Sequence, residues 1–409
     1  MSLTTDRADG LLAPNRAGRP QGLLLMLISC LPILGAVLLA PILPDMRDAF
    51  GNTDQAEAMV PLALTLPALM IALLAPFAGR IIDAFGRKRL LVTALVVYSA
   101  LGTAPLWLDG LPEILMSRAG VGIAEAAIMT CCTTMIADYF SGPERDRWLG
   151  LQTVFASVSA TLFFALGGAL GAHSWRTPFW LYACGLVFAV LAAALLWQPQ
   201  TPVKTRGEHA ALAPLPWSRL LLPCGATLLG GIVFYTPIVQ VPFLLDDLGI
   251  DTVPIIGAVT AAASAATAAG AFTFGRVAGR RTPVLLAVAF GLAGVGLVVA
   301  GFAGSVPTLV IGAIVASAGT GLMLPTLLTW ALSGVAFEQR GRATGRWTAA
   351  LFLGEFVCPL LVIALMAGVD DRGVAVAMLG LISLVAAATA LLGAGRSVRA
   401  LSASSLTGC

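Results

Sequence analysis

The chain has 409 residues, of which 58% are hydrophobic and only 11% charged, with a net charge of +3 and a mean hydropathy of +0.92. A soluble domain carries about 25% charged residues, so this composition excludes an ordinary water-surrounded fold. It predicts an all-α integral membrane protein, because many segments approach the ~20 apolar residues that carry a helix across a bilayer.

In chain order, residues 1–21 read as a polar, disordered arm. The first apolar run, Leu23–Leu43, is too long for a signal-peptide core and no small-residue cleavage site follows it, so it reads as the first span. Five more spans follow at Met59–Ala78, Leu90–Leu108, Ile114–Ile136, Leu149–Leu170 and Phe179–Trp197. Residues 22–197 are thus expected to form one six-helix bundle. A polar, proline-bearing stretch at 198–218 reads as a linker. A second bundle, 219–395, is predicted from Leu220–Leu245, Ile255–Phe274, Val284–Phe302, Leu309–Trp330, Trp347–Ala367 and Val374–Leu392, with a tail at 396–409.

Charge orients these spans. All 24 Lys and Arg residues except Arg47, Arg118, Arg176 and Arg372 fall in the termini or the loops on one side, and Arg118 lies inside a span. Acidic residues such as Asp45, Asp48, Glu57, Asp246, Asp247, Asp370 and Asp371 fall on the other. Basic loops stay in the cytoplasm, so both termini are expected there, in a multi-pass protein of the cell inner membrane.

Two motifs recur half a chain apart. Gly79-Arg80-Ile81-Ile82-Asp83-Ala84-Phe85-Gly86-Arg87-Lys88-Arg89 has a weaker copy at Gly275-Arg276-Val277-Ala278-Gly279-Arg280-Arg281. Arg147-Trp148-Leu149-Gly150 is echoed by Arg342-Ala343-Thr344-Gly345. Nearly equal offsets indicate a duplicated six-helix unit, and parallel repeats of this kind are a transporter architecture with the substrate near midplane.

The stretch Gly79–Leu91 resembles the loop 2–3 signature of the major facilitator superfamily, matching at Gly79, Asp83, Gly86, Arg87, Lys88 and Leu91 and departing at Ala84. Arg118-Ala119-Gly120-Val121-Gly122 is similar to that family's R-x-x-q-G pattern in span four. Leu34-Gly35, followed after five residues by Pro41-Ile42-Leu43-Pro44, resembles the span-one pattern of the twelve-helix drug–proton antiporters. The Gly-Pro of such antiporters is absent from span five, where Phe163-Phe164 stand before Gly167-Gly168. Two rings there are expected to prevent close backbone approach.

The resemblance implies two pseudo-symmetric six-helix bundles working by alternating access, with span four lining a central cavity. An ionisable residue within a span is costly and points to function. Glu125 is therefore the first candidate for proton coupling and substrate contact. Arg118, seven residues earlier and nearly on the same face, is expected to tune it or to hold an anionic substrate group. The same two residues would also serve as a structural pair joining spans four and one. Glu355 in span eleven is a second proton-coupling candidate, either facing the cavity or tied to neighbouring helices. Tyr235, Gln240, Thr326 and Trp330 are softer substrate-contact candidates, and Trp330 near a span end also fits an interfacial anchor. Asp45 and Arg47 read as an outer gate pair or a solvated interfacial one. Gly79, Asp83, Gly86, Arg87 and Asp138 are expected to form a conformational latch, with Arg87 pairing Asp138 when the cytoplasmic side is closed.

The seven cysteines and two histidines show no metal-ligand spacing, and no nucleotide-binding loop of the form G-x-x-x-x-G-K-[ST] is present. The expected function is secondary transport of a small organic compound, through proton-coupled export. Proton-coupled uptake of a metabolite, vitamin or organic anion is the alternative, and a lipid flippase or transporter-like sensor the second. The partners expected are a small-molecule substrate, protons and the lipid bilayer, for a monomer without cofactor, enzymatic activity or nucleic acid.

Overall fold

The computed structural model describes residues 17–51, 56–198, 215–336 and 339–406; the side chains of Asp83 and of 393–406 lie outside the description, as do most of the 198–218 linker and of the N-terminal arm. Every regular element among the described residues is helical. Twelve helices are long and apolar enough to cross a membrane. Spans 1 to 6 are Arg19–Ala49, Ala56–Ile82, Arg87–Leu106, Leu111–Tyr139, Gly142–Gly171 and Thr177–Leu195; spans 7 to 12 are Trp217–Asp247, Val253–Val277, Thr282–Gly301, Val306–Leu332, Arg340–Val369 and Arg372–Leu392.

Each predicted span is present, and most are longer than their apolar runs. Span 5 begins at Gly142 rather than Leu149 because its first turns carry Glu144, Arg145 and Arg147. Hydropathy marks the hydrocarbon-embedded part of a helix, and polar turns continue into the headgroup region. The backbone of the last helix likewise runs helically from Arg372 to Leu406, into the segment read from the sequence as a tail.

Proline sets starts and breaks. Spans 4, 5, 8, 9 and 10 carry Pro in the first turn, where its missing N–H has no intrahelical partner to lose. Span 1 is broken instead: α-helix to Ser29, α-helix Leu31–Val37, a 3-10 turn Ala40–Ile42 at Pro41, then α-helix Leu43–Ala49. A 3-10 turn at Ala75–Phe77 interrupts the helix of span 2 before the segment Ala78–Phe85. Gly86, at φ 80°, then ends that segment and starts span 3, a backbone turn that glycine adopts without steric cost.

Spans 1 to 6 pack mainly on one another, as do spans 7 to 12. The two groups meet where span 5 lies against span 8, span 2 against span 11, and span 1 against span 7. The 5–8 seam corrects one expectation. Close approach does occur beside Phe163-Phe164, one turn further on: a Cβ at Gly168 would lie 2.7 Å from the Gly257 Cα, and one at Gly257 would lie 2.6 Å from the Gly168 Cα. The rings turn aside, Phe164 into the core, and leave the glycine backbones touching. The small-residue run of span 8 is used similarly, since a Cβ at Gly321 of span 10 would collide with the Thr267 carbonyl.

Gly168→Leu and Gly257→Leu are each expected to destabilise the protein by about 1–3 kcal/mol through overpacking. Thermal unfolding of the purified variants measures this; an unchanged midpoint would mean the seam is not closely packed.

Candidate functional site

Between the two helix groups lies a cavity of about 1110 Å³. Its lining comes from the middle and the basic end of the spans, from Ala36, Leu64 and Glu125 down to Gln152, Arg276 and Trp347. The cavity therefore opens at the arginine-rich face and is closed toward the acidic one.

Glu125 and Glu355 both line it, one from each half. Glu125 is 1% exposed, and its Oε1 has no hydrogen-bond partner. The carboxylate fits because span 1 has a glycine opposite: a Cβ at Gly35 would collide with Oε1. Glu355 is also buried and takes part in no ion pair among the described residues. Tyr235 lines the cavity too, and its hydroxyl donates to the Ala36 carbonyl at 2.7 Å, tying span 7 to span 1 across the halves.

Arg118 lies elsewhere. It is fully buried and does not line the cavity. Its Nε donates to the Ala63 carbonyl at 3.0 Å and its Nη2 to the Gly35 carbonyl at 3.1 Å, while the guanidinium sits 5.1 Å from the Tyr182 ring centroid. It braces span 4 against spans 1, 2 and 6, and no direct Arg118–Glu125 ion pair occurs. Thr326 donates to its own helix at the Leu322 carbonyl, and Trp330 packs against the second hydrophobic cluster; neither lines the cavity. Gln240 belongs to the closed end.

That end is held by two arginines. Arg47 of span 1 pairs with Asp246 of span 7 at 2.9 Å, and not with Asp45. Arg372 of span 12 pairs with Glu57 of span 2 at 3.0 Å, approaches Asp247 at 3.5 Å and donates to Gln240 Oε1 at 3.2 Å. Both guanidiniums lie over the buried Phe243 ring, at 5.7 and 4.5 Å from its centroid. Cation–π contact of this kind strengthens as water is excluded.

Near the basic end, Arg87 pairs with Asp138 at 2.8 Å. The pair joins spans 3 and 4 of one half and is formed while the cavity stands open at that face. The expectation that it forms only on closure is therefore not met. A Cβ at Gly79 would meet nothing within 4 Å, so its space is not taken by a neighbour. The expected contact of the Asp83 side chain lies outside the described residues.

The residues not anticipated are Arg372, Asp246, Glu57, Phe243 and Trp347. Arg47 and Arg372 did carry a signal, as two of only three arginines in loops otherwise free of basic residues. Trp347 lines the cavity with its buried Nε1 unpartnered, eight residues before Glu355 on span 11.

A family model described as Major Facilitator Superfamily matches residues 25–251 and 221–405. The multidrug efflux protein YfmO of Bacillus subtilis is 24% identical over 352 residues, covering 83% of this chain and 85% of that protein. The class G tetracycline resistance protein of Vibrio anguillarum is 28% identical over 43% of this chain and 45% of its own length. A gallate transporter of Pseudomonas putida is 33% identical over 27% of this chain and 25% of its own. Among solved structures, a bacterial homolog of the human lysosomal transporter Spinster, inward-facing and occupied, superposes with a TM-score of 0.74 at 17% identity, covering 92% of this chain and 98% of that one.

Removing both cross-half ion pairs with Asp246→Asn and Glu57→Gln is expected to open the acidic end more often. A cysteine placed at Leu244 then reacts with an impermeant maleimide about fivefold faster, the equivalent of about 1 kcal/mol. No acceleration would show that these pairs do not hold the closure.

Proposed function

This chain belongs to the major facilitator superfamily, and from that premise we propose that it exports a small amphipathic organic compound by alternating access, driven by protons. It is a twelve-span membrane transporter of small molecules, not an enzyme. The observation that carries the proton-coupled reading is Glu125: a carboxyl group at mid-span, lining the cavity, with Oε1 unbonded and no direct ion pair. Water in an open cavity can deliver or accept its proton, and closure changes which side it exchanges with.

The positive-inside rule supports a reading in which the open face is cytoplasmic, the state is inward-open, and both termini lie on the cytoplasmic side of the inner membrane. Glu355 offers a second carboxyl from the other half. Tyr235 is positioned to contact cargo below its bond to Ala36. Arg118 acts by positioning, because it fixes span 4, and so Glu125, relative to span 1. The Arg87–Asp138 pair anchors the loop between spans 2 and 3 to span 4, and Gly86 supplies the turn that brings Arg87 there. The family relatives named for multidrug efflux and tetracycline resistance favour export. The absence of Gly-Pro before Gly167-Gly168 favours the second reading, uptake coupled to protons.

In everted membrane vesicles with an acid lumen, an exporter exchanging cargo for protons loads cargo into the lumen. A proton-coupled importer drains it instead, so the direction of flux decides between the readings. Glu125→Gln is expected to lower gradient-driven flux by about tenfold or more, equivalent to about 1.4 kcal/mol in barrier. Unchanged flux in that variant removes Glu125 from coupling. Separately, a cysteine at Lys88 is expected to react with an impermeant thiol reagent only from the cytoplasmic side, and reaction from outside intact cells would invert the topology.

A further inference from the structure

Most polar groups around the cavity are already bonded within the protein. Ser29 donates to the Met26 carbonyl and Thr260 to the Ile256 carbonyl, while Gln152 donates to Thr133. Such hydroxyls have their proton committed to their own helix and offer cargo little. The buried groups that remain apart from these include the Ser317 hydroxyl and, with charge or an N–H to offer, the Glu125 carboxylate, the Glu355 carboxylate and the Trp347 Nε1. The cavity's cationic residue, Arg276, is exposed at the mouth and lies over Phe272 at 4.8 Å. The interior is therefore acidic at its depth, apolar along its walls, and provided with one unused N–H donor nearer the mouth.

This arrangement has a length. Trp347 precedes Glu355 by eight residues on one continuous helix, so donor and carboxylate are about 12 Å apart along the axis at about 1.5 Å per residue. A buried carboxylate rejects an anion and favours a cation that replaces its lost hydration. An indole N–H buried without a partner favours a molecule that brings an acceptor oxygen to it.

We propose that the cavity selects elongated amphipathic cations: the positive charge lodges between Glu125 and Glu355, and a hydrogen-bond acceptor about 12 Å away meets the Trp347 Nε1. The two carboxylates come from opposite halves, so a cation between them also draws the halves together. Trp347 is the specificity-determining residue at the far end. This assignment deepens the transport reading and rests on its central cavity.

Binding to the purified full chain in lipid nanodiscs tests it by isothermal titration calorimetry with three probes. One is an alkyltrimethylammonium ending in a methyl ester, one the same cation ending in a methyl group, and one an alkyl sulfate of equal length. The ester cation is expected to bind most tightly and the sulfate least. Glu125→Gln and Glu355→Gln should each weaken both cations by about tenfold. Trp347→Phe should weaken the ester cation by about fivefold and leave the methyl-ended cation unchanged. Sulfate binding as tightly as the cations overturns the proposal in the wild-type protein alone, whatever the variants' folding. So does cation binding unaffected by either glutamine variant, or an ester advantage that survives Trp347→Phe. Binding as expected without gradient-driven flux in vesicles would instead sink the proton-driven reading and leave the cavity's selectivity standing.

Discussion

The hydrogen bonds from Arg118 to the carbonyls of Ala63 and Gly35 are the constraint from which the central region follows. Hydrocarbon supplies no water to satisfy a charged group, so a buried guanidinium must find acceptors within the protein. Arg118 takes them from the backbones of spans 1 and 2 rather than from a carboxylate. Gly35 then serves two neighbours, lending its carbonyl to Arg118 and the space of its missing Cβ to Glu125. A single backbone position thus fixes the brace and leaves the adjacent carboxylate facing the cavity without an ion pair.

The two ends of the molecule are built differently. At the acidic end, arginines from both halves meet over one phenylalanine and join spans 1, 2, 7 and 12. At the basic end the Arg87–Asp138 pair stays within one half. Contacts that cross the midline respond to the relative position of the halves, whereas those within a half travel with it as a rigid unit. The touching glycines at 168 and 257 keep the 5–8 seam smooth, with no side chain interdigitated between those two backbones.

The twelve spans were readable because bilayer thickness imposes a minimum apolar length that shows directly in residue order. Their ends were not, since polar turns such as Glu144 to Arg147 continue a helix that hydropathy has already lost. Glu125 and Tyr235 line the cavity, as does Glu355, for which residue order left a cavity position and a tie to neighbouring helices both open, because polar groups inside a span must face something other than lipid. Arg118, Gln240 and Thr326 are polar and within spans as well, yet they lie off that cavity wall. Residue order distinguishes lipid from protein surroundings, but it does not separate a cavity wall from a seam between helices. The partners of Arg47 and Arg372 needed the fold, because Asp246 and Glu57 lie 199 and 315 residues away from them in the chain.

The closed end is also held weakly. Its acidic partners are unevenly covered, with Asp246 20% exposed and Glu57 62% exposed, and partly solvated pairs contribute about 0–1 kcal/mol each. Two such pairs and two cation–π contacts amount to a bias of a few kcal/mol toward the closed arrangement, not a lock. A closure that shallow leaves a thermally populated minority of open molecules at every moment, and dissolved salt screens it further. Ionic strength at the acidic end therefore acts on the conformational equilibrium directly.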